Sequence, residues 1–159
     1  MRPAELRRQI RQRAQAVRRS LSLVSSEYVH WGATFGPPDG GWLEVRGEQP
    51  LRAGGLDILF SIREVFWAEV DGSLELRSSR YTVVERKSGH EIFAYHQHPP
   101  DPSWVHLHLG AGAGQLHPLV RSAHFPALVV ALDDVLALLI RDFGLSPTRP
   151  DWEKRLRIG

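Results

Sequence analysis

The stretches Glu91-Ile92-Phe93-Ala94-Tyr95-His96-Gln97-His98 and Trp104-Val105-His106-Leu107-His108-Leu109 decide how this chain is read. Side chains along a strand alternate between two faces. Phe93 and Tyr95 alternate with Ala94 and His96, and Val105, Leu107 and Leu109 alternate with His106 and His108. The simplest core face is therefore Phe93, Tyr95, Val105, Leu107 and Leu109. Pairing Tyr95 with Leu107 sets His96 opposite His106. All four histidines of the two His-x-His pairs then gather on the other face, with Trp104 beside them. A slip of one residue would split the cluster and bury histidines among leucines. A turn at Ser88-Gly89 extends the pairing backward and puts Tyr81 opposite His96 on the histidine face.

Outward from this pair, Val65-Phe66-Trp67-Ala68-Glu69-Val70 runs into Asp71-Gly72, a signal for a two-residue hairpin turn. A strand-rich run follows to Arg86. Pro99-Pro100-Asp101-Pro102 turns the chain, and Ala111-Gly112-Ala113-Gly114 ends the run. Residues 57–109 thus read as an antiparallel meander. Phe66, Trp67 and Tyr95 are read as core. Upstream, Gly36-Pro37-Pro38-Asp39-Gly40-Gly41 and Gly54-Gly55 are breakers that mark residues 36–55 as a connector. Trp42 to Arg46 is a short strand within it, and Tyr28 to Phe35 is a further strand candidate.

Both ends read as helical. Leu132, Val135, Leu136, Leu139, Ile140 and Phe143 repeat with helical spacing, with Asp133 and Asp134 in the first turn, Arg141 in the last and Gly144 after it. Thr148 offers an N-cap for a short final helix. At the other end Leu6, Ile10, Ala14, Val17 and Leu21 form one stripe of an amphipathic helix. The expected fold is α+β: an antiparallel sheet of about five strands over residues 28–109, a basic helical arm over 1–21 and C-terminal helices over 131–158, in a single domain.

Charge is unevenly spread along the 159 residues. The whole chain has Lys+Arg 20 and Asp+Glu 18, yet residues 1–20 hold Arg2, Arg7, Arg8, Arg11, Arg13, Arg18 and Arg19 against the single acid Glu5. The arm carries a net +6 and the rest of the chain −4. A basic arm on an acidic body suits RNA, DNA or an acidic protein, with Arg7, Arg8, Arg11 and Arg18 as the candidate contacts. Its apolar stripe covers either the body or a partner. On the partner reading, the arm matters more for binding than for folding. Cysteine is absent, which excludes a disulfide framework, a thiolate zinc site and a cysteine nucleophile. The start Met1-Arg2-Pro3-Ala4-Glu5-Leu6-Arg7-Arg8 is too charged for a signal peptide, so a cytoplasmic protein with no membrane association is expected.

The histidine face admits three chemistries. Histidine titrates near neutrality, so a pair can supply one acid and one base, as cleavage of an RNA phosphodiester requires. Tyr81 and Trp104 could orient a nucleotide there. Neutral imidazoles also bind zinc, iron, nickel or copper, and His96, His98, His106 and His108 are the residues that would hold such a metal. Otherwise no cofactor is expected. The third reading is structural, with solvent-facing histidines. His30, His90, His117 and His124 are scattered and read as surface or loop residues, with His124 singled out as the exception by the nearby Arg121.

The segment from about Tyr81 to Phe143 resembles the TumE-type toxins of bacterial toxin–antitoxin pairs. The resemblance rests on Ile92-Phe93-Ala94-Tyr95-His96-Gln97-His98-Pro99, Val105-His106-Leu107-His108, a strand near Arg121 to Pro126, and the helix Leu132-Asp133-Asp134-Val135-Leu136. It departs at His96-Gln97, where the family carries Asp-Asn, and has no counterpart for the first 55 residues. It implies a toxin-like protein acting on RNA or nucleotides, with an antitoxin as partner. Trp104-Val105-His106-Leu107-His108-Leu109-Gly110 also looks like the histidine-triad motif of nucleotide hydrolases, with Trp104 in place of its first histidine. The His-x-His pairs are shared with cupins, whose following glutamate is replaced here by Gly110-Ala111-Gly112. The leading expectation is a toxin-like protein working through His96, His98, His106, His108 and Tyr81. The alternatives are a non-enzymatic nucleic-acid- or partner-binding module and a metal-dependent enzyme.

Overall fold

The computed structural model describes residues 3–25, 30–35, 42–69, 73–98, 101–110, 125 and 130–156. Six strands form one antiparallel sheet in chain order: β1 His30–Phe35, β2 Trp42–Ala53, β3 Leu56–Ala68, β4 Leu74–Glu85, β5 Glu91–His98 and β6 Asp101–Leu109. Helix α1 (Pro3–Leu21) precedes the sheet, and α2 (Leu132–Arg141) and α3 (Trp152–Arg155) follow it. The sheet was expected at about five strands over residues 28–109 and has six.

The added sheet comes from the stretch read as a connector. β2 is 12 residues long and pairs with β3 from Trp42↔Trp67 to Ala53↔Leu56. Gly54 and Gly55 have φ of 56° and 83°, so they are the two left-handed residues of a tight hairpin turn. Among the described residues β1 pairs with β2 only as far as Glu48, so Pro50 lies beyond the described part of that ladder, a position where a proline is tolerated. Tyr28, Asp71-Gly72, Pro99-Pro100, Ala111 to Gly114 and most of the strand expected near Arg121 lie outside the described residues.

One sheet face carries the core. Phe60, Ile62, Tyr81, Val83, Phe93 and Tyr95 are buried there, and α2 buries Val135, Leu136 and Leu139 with them. Phe93 meets Phe125 and Phe143 at centroid distances of 5.4 Å each. Val105 and Leu107 are partly buried against this core, whereas Leu109 is 56% exposed at the end of β6. Leu109 is therefore not a core residue. Thr148 does not cap α3, whose N-cap is Asp151. Its hydroxyl instead donates to the Ser22 carbonyl (2.7 Å), tying the C-terminal segment to the end of α1.

Helix α1 belongs to the body. Val17 and Leu21 are each 1% exposed within the core. The Ser20 hydroxyl donates to Asp133 on α2 (2.6 Å). Arg13 donates Nε to Glu64 Oε2 (2.9 Å) and its terminal nitrogen to Oε1, while Tyr81 donates its hydroxyl to Oε1 (2.7 Å). Glu64 is fully buried on β3. Burial opposes charge on Arg13, but the adjoining carboxylate outweighs it and its pKa moves up. Burial beside Glu64 also holds the Tyr81 phenol protonated, far above its ordinary range. The C-terminal half of the stripe, Val17 and Leu21, thus covers the body, while the side chains of Leu6 and Ile10 lie outside the described residues. Among the described residues, no helix is long and apolar enough to cross a membrane.

Arg13→Ala strands a buried carboxylate, so urea unfolding should show a loss of about 3 kcal/mol, the lower end for breaking a buried pair because Arg13 is partly exposed. Tyr81→Phe removes one hydrogen bond to a charged group and should cost about 1.5–3 kcal/mol. A deletion of residues 1–20 that unfolds at wild-type urea concentration contradicts this account of the helix.

Candidate functional site

Strand alternation that buries Tyr81, Tyr95 and Leu107 turns their neighbours outward. His96 pairs directly with His106, as Tyr95 does with Leu107. His96 also stacks on its diagonal neighbour His108, with centroids 4.5 Å apart and planes 16° from parallel. His106 lies 5.0 Å from His98 and 5.0 Å from His108. In the next row Ala94 pairs with His108, and its small side chain leaves room beside the imidazoles. The four histidines form one cluster on the face away from α1 and α2.

His96 is the enclosed member. Its Nε2 is buried without a hydrogen-bond partner among the described residues. Burial, then the positive charge of Arg80, then the adjoining imidazoles push its pKa down to about 4. A neutral ring with a free lone pair can accept a proton or bind a metal. One ligand nitrogen from each of His96, His106 and His108 can be chosen so that all lie within 4.8 Å of one another.

The register also shows what sequence reasoning missed. Arg46 pairs with Arg63, Arg63 with Arg80, and Arg80 with His96. With His96↔His106, five basic side chains form a single row across β2 to β6. Like charges placed directly opposite one another oppose sheet pairing. Arg63 is answered by Glu44 (3.2 Å) and Arg80 by Glu91 (3.3 Å), all partly or largely exposed. Arg80 Nε also donates to Thr82 Oγ1 (3.1 Å). A groove of about 170 Å³ opens along Arg63, Ser78, Arg80, His96 and His98. Each arginine sits at an outward position of its own strand, but nothing in the sequence aligns the three before the pairing is known.

Tyr81 does not join the site. It pairs with Tyr95, points into the core and bonds Glu64. The turn is responsible: Glu85 N–H reaches the His90 carbonyl (3.0 Å), so four residues rather than Ser88-Gly89 alone form the loop. A bulge then places Ile92 between the Val84↔Glu91 and Val83↔Phe93 pairs. The resulting register brings Arg80, not Tyr81, opposite His96. Trp104 lies on β6, and its side chain is outside the described residues, as is that of Arg7. Arg8, Arg11 and Arg18 are exposed on α1, which packs on the opposite sheet face, and Arg8 pairs with Glu5 (2.6 Å). The basic arm and the histidines are therefore two separate surfaces. Trp67, expected in the core, is 56% exposed at an outward position of β3, while its neighbour Phe66 is buried.

No protein-family model matches the chain, and no curated protein or solved structure matches it significantly.

The depressed His96 pKa has a definite sign. The unfolded chain takes up this proton first, so His96 removes stability as pH falls from about 6.5 toward about 4. His96→Asn should flatten that part of the stability profile. In an NMR titration the His96 ring should remain neutral at pH 6, and Arg80→Ala should raise its pKa. A midpoint near 6.5 for His96 in the intact protein would contradict the enclosed, Arg80-flanked environment.

Proposed function

We propose that this chain is a toxin-like protein of the TumE type whose histidine face cleaves RNA phosphodiesters by acid–base catalysis. The observation that carries the reading is Arg80 set directly opposite His96 within a cluster of four imidazoles. A phosphodiester needs a base, an acid and a cation at one place, and this face supplies all three residue types.

The neutral His96 ring takes the proton of a ribose 2′-hydroxyl. The 2′-oxygen bonds to phosphorus, and the bond from phosphorus to the 5′-oxygen breaks. His106, acting as the acid, gives a proton to that leaving oxygen. The products are a 2′,3′-cyclic phosphate and a 5′-hydroxyl. Arg80 offsets the charge that builds on the phosphoryl oxygens. A phosphate bound beside His96 counters the positive field of Arg80 and raises the ring's pKa, which strengthens the base when substrate is present. His98 and His108 position these rings. The resemblance adds an antitoxin as the protein that masks this face.

A second reading follows from the proximity of ligand nitrogens on His96, His106 and His108. Three imidazoles with open remaining positions suit zinc or a related transition metal. A metal there would supply an activated water, and the same arginine row would bind the anionic substrate.

RNA cleavage should follow a bell-shaped pH profile and persist in EDTA. His106→Ala should lower the rate by about 10²–10⁴-fold, the usual worth of a positioned proton donor. Loss of activity in chelator, restored by zinc or nickel, moves the cluster to the metal reading. Expression in cells should arrest growth, and the quadruple alanine variant of His96, His98, His106 and His108 should not. Undiminished toxicity of that variant removes the histidines from function and leaves a non-enzymatic binding module.

A further inference from the structure

The outward sheet face carries more cationic side chain than one scissile phosphate requires. Arg80 suffices beside His96, yet Arg63 and Arg46 continue the same row toward β1. From His106 to Arg46 the row crosses four strand spacings, about 19 Å. Trp67 stands on the same face of β3, four residues from Arg63, about 13 Å along the strand. Its ring is 56% exposed, with the Arg77 guanidinium over it at 5.9 Å.

We infer that the Arg46–Arg63–Arg80 row, with Trp67 beside it, is a binding track for single-stranded nucleic acid that leads into the histidine cluster. This deepens the reading above and rests on it for the chemistry at the track's end. Guanidinium groups bind successive phosphates, and an exposed indole stacks a base irrespective of sequence. A single strand can follow an open sheet face that tracks its backbone with basic groups and offers aromatic platforms. The unfavourable juxtaposition of three arginines becomes favourable once phosphates lie between them. Glu44 and Glu91 pair with Arg63 and Arg80 in the free protein, and such partly exposed ion pairs yield readily to a phosphate.

The test separates binding from cleavage. Anisotropy of a labelled single-stranded 12-nucleotide RNA is followed against salt, using full-length His106→Ala protein so that the probe stays intact. Each of Arg46→Ala and Arg63→Ala should reduce the slope of log affinity against log salt by about 0.7, the value for one single-strand phosphate contact. Trp67→Ala should weaken binding about 5–150-fold, the range for one lost base stack. Arg8→Ala and Arg11→Ala, on the other sheet face, should leave the slope unchanged. In otherwise wild-type protein, Arg46→Ala and Trp67→Ala should slow cleavage of long RNA more than cleavage of a dinucleotide. An unchanged slope in the two row variants, or a slope lost only in the α1 variants, overturns the track. Polyglutamate binding in place of RNA also overturns it, by making the face a site for an acidic protein. If dinucleotide cleavage survives such a result, the catalytic reading stands alone. If row variants weaken RNA binding while no RNA is ever cut, the track stands and the catalytic reading falls.

Discussion

A buried carboxylate organises this molecule. Glu64 has no access to water, and an ionised carboxyl in that position requires charged and hydrogen-bonding partners. Arg13 reaches it from α1 and Tyr81 from β4. The contact selects which surface of α1 faces the sheet, and Val17 and Leu21 enter the core on the same side. It also holds β3 and β4 in the one pairing that keeps Tyr81 inward. Slipping β4 by one residue would withdraw the phenol from Glu64 and bury Arg80, a second uncompensated charge.

The consequence appears on the opposite face. With Tyr81, Tyr95 and Leu107 inside, Arg80, His96 and His106 are outside. The polar network under α1 and the basic row on the outer surface are two results of one register. The core face binds the buried Glu64 carboxylate with an arginine and a tyrosine. The outer face leaves an arginine row only partly neutralised by Glu44 and Glu91. Repulsion of this kind is tolerated where a sheet has enough packing on its other side, and α2 supplies that packing with Val135, Leu136 and Leu139.

This division bears on how the chain meets an anionic partner. The largest arginine cluster in the sequence is on α1, and part of it serves the fold: Arg13 is bound to Glu64, and Arg8 pairs with Glu5. The arginines that adjoin the histidines are dispersed over three strands and separated by about 17 positions each, Arg46 to Arg63 to Arg80. Density of charge along the chain and density of charge on a surface are different quantities here. Only the second acts on a bound phosphate.

The sequence by itself determined the alternation in β5 and β6, and with it the shared face of four histidines. Period-two alternation with leucines on one side leaves a single register compatible with burial. The helical repeat from Leu132 to Phe143 was legible for the same reason, since its apolar positions match one helical period. The tertiary structure decided the rest. Gly54-Gly55 reads as a breaker in sequence, and only the pairing of β2 with β3 makes it a hairpin turn. Ser88-Gly89 signals a turn but not its length, and a four-residue loop with a bulge sent Tyr81 inward and Arg80 out. The α1 stripe could not declare what it covers, because that depends on Glu64, 51 positions away from Arg13. Local periodicity is set by the geometry of the backbone and can be read in a few residues. Register between strands is set by turns, bulges and buried partners distant in the chain, and these decided which basic side chains stand beside His96.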